Sequence, residues 1–203
     1  MKVIGIVCSP RKGGNTEILV SRALEGAREA GAEETEIILL TDKHINPCDA
    51  CNSCEKTGKC HIDDDMQTIY PKLLEADGII IGTPVYFWSI TAQAKALIDR
   101  TYCLSQAHRA LLSASKPISG PRMEDLRNKV CGIITVTRRA GAIEAVQVIN
   151  DFFRIHRIIE AGAAIAYADE KGEVNNDKQG LREAWAVGRA VVRMIRLVQA
   201  AAK

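Results

Sequence analysis

Five compact apolar runs recur along the chain: Lys2–Cys8, Glu34–Leu40, Gly78–Gly82, Val130–Val136 and Ala161–Ala168. Their length and composition predict strands. Between them the apolar positions change to helical spacing. Asn15–Ala30 places Ile18, Leu19, Ala23 and Ala27 on one face, with Asn15 as the expected N-cap and Gly31 as the stop. Met66–Ala76 lines up Met66, Ile69, Leu73 and Leu74, and helices are also predicted over Ile90–Tyr102, Gly141–Ile155 and Leu181–Gln199. Thr41–Asp65 reads as a loop, and Ser113–Arg122, with Pro117, Gly120 and Pro121, as a loop excursion.

Short apolar strands alternating with helices imply a parallel sheet covered on both faces. Five strands fit an α/β three-layer sandwich of the flavodoxin-like kind, with strand order 2-1-3-4-5. The 203 residues, 47% of them hydrophobic, suit one domain spanning 1–203, with the cysteine-rich loop 41–65 inside it. The first turn, Cys8-Ser9-Pro10-Arg11-Lys12-Gly13-Gly14-Asn15-Thr16, has neither the G-x-G-x-x-G of dinucleotide folds nor the Gly-Lys-Ser/Thr of triphosphate loops.

That turn still has the parts of a phosphate cradle. Ser9 and Thr16 carry hydroxyls, Gly13 and Gly14 expose backbone N–H groups, and the loop runs into a helix N-terminus. Plain helix capping is the alternative. The third strand ends in Thr83-Pro84-Val85-Tyr86-Phe87-Trp88-Ser89, three consecutive aromatics where open parallel sheets bind ligands. Such a loop can hold a flat, partly apolar ring, with backbone groups as the safer contacts. The fourth strand ends in Thr137-Arg138-Arg139-Ala140-Gly141, a third wall of the same crevice, where Arg138 or Arg139 could face ring oxygens or a cofactor phosphate.

Lys plus Arg number 27 against 25 Asp plus Glu, so no basic field points to nucleic acid. No signal-peptide pattern or membrane-length apolar run is seen, and a cytoplasmic location without a membrane partner is expected. Four of the seven cysteines, Cys48, Cys51, Cys54 and Cys60, fall within 13 residues and read as metal or redox chemistry. Cys8, Cys103 and Cys131 read as small buried hydrophobes. His61 adjoins Cys60 but is expected to face solvent or support a ligand. Asp63, Asp64 and Asp65 are expected to cap the Met66 helix. Asp99-Arg100 is expected to be a structural or interface feature.

Taken together, Ser9-Pro10-Arg11 with Gly14-Asn15-Thr16, the Cys48–Cys60 cluster, Asp64-Asp65-Met66, and Thr83–Tyr86 followed by Lys95 and Asp99-Arg100 resemble the NADPH-dependent FMN reductase family, and within it the iron–sulfur flavoproteins. The resemblance implies an FMN-dependent oxidoreductase with the FMN phosphate at Ser9, Arg11, Gly14, Asn15 and Thr16. It implies ring contacts from Pro84, Val85, Tyr86, Phe87 and Trp88 and from the loop around Thr137 and Gly141. Many relatives carry a Gly-Gly where this chain has Arg139-Ala140-Gly141. No catalytic side chain is required, because the flavin carries the chemistry. NADPH, NADH or ferredoxin would donate electrons, and a quinone, a flavin or another small molecule would accept them. A ferredoxin-dependent electron carrier and a zinc-stapled binding module are the alternatives. The spacing C-x2-C-x2-C-x5-C suits a [4Fe–4S] cluster, with zinc and free thiols remaining open. That cluster is expected toward the same strand-end rim as the flavin. A homodimer or homotetramer is expected.

Overall fold

The computed structural model describes residues 1–105 and 126–201. The Ser113–Arg122 excursion lies outside the described residues. The five apolar runs form strands β1 (Lys2–Val7), β2 (Glu34–Leu39), β3 (Gly78–Pro84), β4 (Val130–Thr137) and β5 (Ile159–Tyr167). All neighbouring pairs are parallel, and the order is β2-β1-β3-β4-β5. The helices are α1 (Asn15–Glu29), α2 (Ser53–Thr57), α3 (Met66–Glu75), α4 (Ala92–Arg100), α5 (Ala142–His156) and α6 (Lys178–Ala201).

Alternate strand residues feed opposite layers. Val3, Val7, Ile80, Val130, Ile134 and Val136 pack under α1 and α6, while Ile4, Ile6, Ile79, Ile81 and Ile133 pack under α3, α4 and α5. Each such fully buried side chain stabilises the fold by about 1.5–3 kcal/mol. The α1/α6 side is drawn in close by glycine. A Cβ on Gly82 would lie 2.3 Å from Val20 Cγ2, and one on Gly188 only 1.8 Å from the Ala23 carbonyl oxygen. The α1 and α6 backbones therefore touch.

Element ends differ from the sequence pattern for local reasons. β3 runs on to Pro84 because Thr83 and Pro84 still pair with Thr135 and Val136. β5 begins at Ile159, ahead of a register shift opposite Cys131/Gly132; the polar Glu160 hides this start. α4 begins at Ala92 because Thr91 is its N-cap, accepting the Ala94 N–H at 3.2 Å and donating to the Cys8 carbonyl at 2.6 Å. α6 begins at Lys178, where Asp177 accepts the Gly180 N–H at 2.8 Å. The 41–65 segment is not wholly loop: it holds the short α2. No helix among the described residues is long and apolar enough to cross a membrane.

Candidate functional site

The carboxyl ends of β1, β3, β4 and β5 border a cleft of about 110 Å³. Its floor is the first loop. Gly13, at φ +65°, turns the chain into α1, whose first N–H groups have no partner within the helix. Gly14, not Asn15, is the N-cap. The Asn15 carboxamide is committed elsewhere: it donates to the Glu170 carbonyl at 2.8 Å and accepts from the N–H groups of Gly172 at 2.8 Å and Val174 at 3.3 Å. It bolts the loop after β5 onto the loop after β1. Ser9 Oγ accepts the Arg11 N–H at 3.1 Å. Thr16 is buried and lines the cleft, and its hydroxyl has no protein partner among the described residues. Glu17 accepts the Gly13 N–H at 2.6 Å. Arg11 donates to the Asp169 carbonyl at 3.2 Å, and Arg138 pairs with the Asp169 carboxylate at 2.9 Å.

The aromatic loop forms the upper wall. Val85 N–H donates to the Val136 carbonyl at 2.8 Å, and Tyr86 and Ser89 exchange backbone hydrogen bonds at 2.9 and 3.0 Å. The intervening Phe87 and Trp88 have φ of 47° and 59°, the left-handed pair of a type I′ turn. Tyr86, Phe87 and Trp88 are 44%, 97% and 62% exposed, so the ring-binding candidates project outward. The β4 loop packs against them. Gly141 sits at φ +87°, where a Cβ would come within 2.8 Å of Trp88 Cα and Val85 Cγ1. Thr137 steadies this loop by donating to the Ala140 carbonyl at 2.6 Å.

The four clustered cysteines line a second cavity, of about 570 Å³, together with Cys103. It lies against the middle and last turns of α4 and α5, and it shares no lining residue with the strand-end cleft. The expected shared rim is therefore corrected. The loop leaves β2 but folds back over the helices, because its two ends are clasped there. Arg100, 1% exposed, donates both terminal nitrogens to Asp64, at 2.6 and 3.0 Å. The same nitrogens bond the carbonyls of Asn46 at 2.9 Å and Ile62 at 3.3 Å, just outside Cys48 and Cys60. Asp64 also accepts the N–H groups of Asn46 at 2.9 Å and Met66 at 3.0 Å. Burial opposes the Asp64 charge, but Arg100 and these two N–H groups together hold its carboxyl below the usual range.

Asp64 thus combines the expected capping with an ion pair that spacing does not reveal. Arg100 is structural, as expected, whereas Asp99 pairs with Lys95 on the surface. The fifth guanidinium N–H, on Nε, is buried and has no hydrogen-bond partner among the described residues.

The thiols crowd electrostatically. Burial pushes the Cys54 thiol up, and charge on Cys51, Cys60 and Cys48 adds to this. Burial raises Cys103 to about 11. Cys8, Cys103 and Cys131 are all buried, but Cys103 is also part of the cavity wall. His61 pairs with Asp49 at 2.7 Å. Among the described residues, Asp49, Cys51 and His61, all exposed, form a group of potential metal ligands whose donor atoms fall within 4.8 Å of one another. The four cysteines line the larger cavity instead.

A parallel 2-1-3-4-5 sheet with an anion-type loop after β1 and an aromatic loop after β3 defines a flavodoxin-like protein. Solved structures agree on the fold. RosB with a bound 8-demethyl-8-formylriboflavin-5′-phosphate intermediate superposes with a TM-score of 0.71 at 19% identity, over 98% of this chain and 81% of that one. An archaeal flavodoxin gives 0.57 at 12% identity, over 97% and 99%. The chain belongs to the NADPH-dependent FMN reductase family, which it matches over residues 1–172. It is an FMN-dependent oxidoreductase. An iron–sulfur flavoprotein of Methanocaldococcus jannaschii is 40% identical over 98% of this chain and all of that protein. An iron–sulfur flavoprotein of Methanosarcina thermophila is 39% identical over 80% and 78%.

Proposed function

We propose that the strand-end cleft seats FMN by its phosphate and that the cysteine cavity holds a [4Fe–4S] cluster. The protein would pass electrons between NAD(P)H or ferredoxin and a quinone, a flavin or another small acceptor. The carrying observation is the cleft floor: free N–H groups at the start of α1, the unpartnered Thr16 hydroxyl and flanking cations, directly under an aromatic hairpin. Ser9, Arg11, Gly14, Asn15 and Thr16 would surround the phosphate, Asn15 through its backbone because its side chain is engaged. Pro84, Val85, Tyr86, Phe87, Trp88, Thr137 and Gly141 would border the ring. Bound there, FMN supplies hydride and single-electron chemistry, and the chain supplies its position and surroundings.

The cysteine cavity fits a cluster better than a single ion. Its four thiols line one cavity of about 570 Å³, room for a multi-atom cluster rather than one ion. Arg100 Nε–H is a buried donor in the same wall without an oxygen to meet, and sulfur can serve as its acceptor. Structural zinc draws its ligands into a tight tetrahedron. The exposed Asp49–Cys51–His61 triad is the arrangement that favours zinc instead. Because the cluster cavity lies away from the cleft, a homodimer or homotetramer that brings one protomer's cavity to its partner's flavin completes the reading. The chain would work as a single domain in the cytoplasm.

Iron, sulfide, zinc and flavin measured on one anaerobic preparation test the two centres together. About four iron and four sulfide per chain with FMN are expected. Zinc without iron refutes the cluster, and a colourless protein refutes both centres. Stopped-flow bleaching of the flavin by NADPH, NADH and reduced ferredoxin then identifies the donor.

A further inference from the structure

We propose that Lys171, on the loop after β5, supplies the cation that seats the terminal phosphate of the flavin. This rests on the flavin reading above and adds a residue far outside the loop to which the phosphate was assigned. Arg11, Arg138 and Lys171 are the cations that line the cleft, and the neighbouring Lys12 turns away to Asp42; of these side chains only Lys171 is not engaged among the described residues. Arg11 donates to the Asp169 carbonyl, Arg138 pairs with the Asp169 carboxylate, and Lys12 pairs with Asp42 at 2.9 Å. Lys171 lines the same cleft, and no hydrogen bond or ion pair engages its ammonium among the described residues. Its position is defined by the backbone beneath it: a Cβ on Gly13 would lie 3.3 Å from Lys171 Nζ and 3.4 Å from its Cε. The ammonium therefore rests on the turn that opens α1.

This placement is built by a buried polar contact. The three hydrogen bonds of Asn15 hold the carbonyl of Glu170 and the N–H groups of Gly172 and Val174, the residues on either side of Lys171. Asn15 is thus a positioning residue for Lys171. The local electrostatics also call for a cation. The Glu17 carboxylate is bound to the Gly13 N–H at 2.6 Å, so the turn on which Lys171 rests already carries a negative charge, and an ammonium there offsets it. The rival role for Lys171 is to neutralise Glu17 alone, although the two form no ion pair within 4.0 Å.

The experiment compares FMN with riboflavin, which lacks the phosphate, in the flavin-depleted full-length chain, by quenching of flavin fluorescence. Lys171→Gln is expected to weaken FMN by about 10–100-fold, the scale of one charge-assisted hydrogen bond, and to leave riboflavin within about twofold. Lys171→Arg is expected to retain most of the FMN affinity. Asn15→Ala is expected to weaken FMN selectively, and less than additively with Lys171→Gln. The loss from Lys171→Gln is expected to persist in a Glu17→Gln background. Unchanged FMN affinity, equal weakening of FMN and riboflavin, or full recovery in the Glu17→Gln background each overturns the assignment. A wild-type chain that binds riboflavin as tightly as FMN overturns the phosphate reading of the loop itself, and Lys171 with it.

Discussion

Replacing Arg100 with Leu strands the Asp64 carboxylate in the interior. Asp64 is held by two guanidinium nitrogens and two backbone N–H groups, and both side chains of the pair are essentially without solvent contact. Removing one member of a buried pair costs about 3–5 kcal/mol, because the remaining charge stays desolvated. The carbonyls of Asn46 and Ile62 lose their donors as well, so the upper part of that range is expected. With a urea dependence of about 2–3 kcal/mol per M for a chain of this size, the midpoint should fall by roughly 1.3–2.5 M. The assay is urea unfolding followed by circular dichroism at fixed, saturating FMN, since ligand binding shifts apparent stability. Adding Asp64→Asn to Arg100→Leu removes the buried charge and keeps an acceptor for one of the two N–H groups, Asn46 or Met66, which bond different carboxylate oxygens. The double variant should recover about half of the loss. A single-variant change below about 1 kcal/mol, or a double variant no better than the single, refutes the clasp as a buried ion pair.

The same pair predicts a pH signature. The Asp64 carboxyl is depressed in the folded chain, so its stabilisation is present above the unfolded value of about 3.9 and is lost as pH falls through the lower folded value. The stability gap between wild type and Asp64→Asn should therefore narrow from pH 6 toward pH 3; a gap that widens on acidification contradicts the sign. Cys51→Ala should abolish the iron signal and leave FMN content largely intact, because the cavity and the cleft have no common wall; parallel loss of both on the same preparation would show them coupled. Phe87→Asn with Trp88→Gly should raise thermal stability, since two left-handed non-glycine residues cost about 1–3 kcal/mol each and Asn-Gly suits a type I′ turn. Calorimetry showing destabilisation would mean that the aromatic side chains contribute more than the backbone strain costs.

The sheet was legible because its strands are apolar almost end to end. The loop after β1 and the aromatic loop after β3 were legible as strand-end loops because residues adjacent in sequence build them. Partnerships across the chain were not. Asp64 and Arg100 are 36 positions apart, and Asn15 reaches Gly172 across 157; neither pairing leaves a trace in periodicity. The type I′ turn at Phe87-Trp88 lacks the Asn or Gly that announces one. Helix α2 spans only five residues, too few to be stable without its surroundings. The shared rim expected for the two centres failed because chain order says where a loop departs from the sheet, not which helices it folds back upon.

The Arg100–Asp64 clasp also bears on how the cysteine segment could have been acquired. One guanidinium grips the chain at Asn46 and again at Ile62, and the residues between carry all four candidate ligands. The sheet and the strand-end cleft draw nothing from that interval. The segment is a loop gripped at both ends, with Cys54 and Cys60 still packed on the core beneath it, so a short linker spanning the gripped ends would leave a minimal flavin protein only if it also covered that apolar surface.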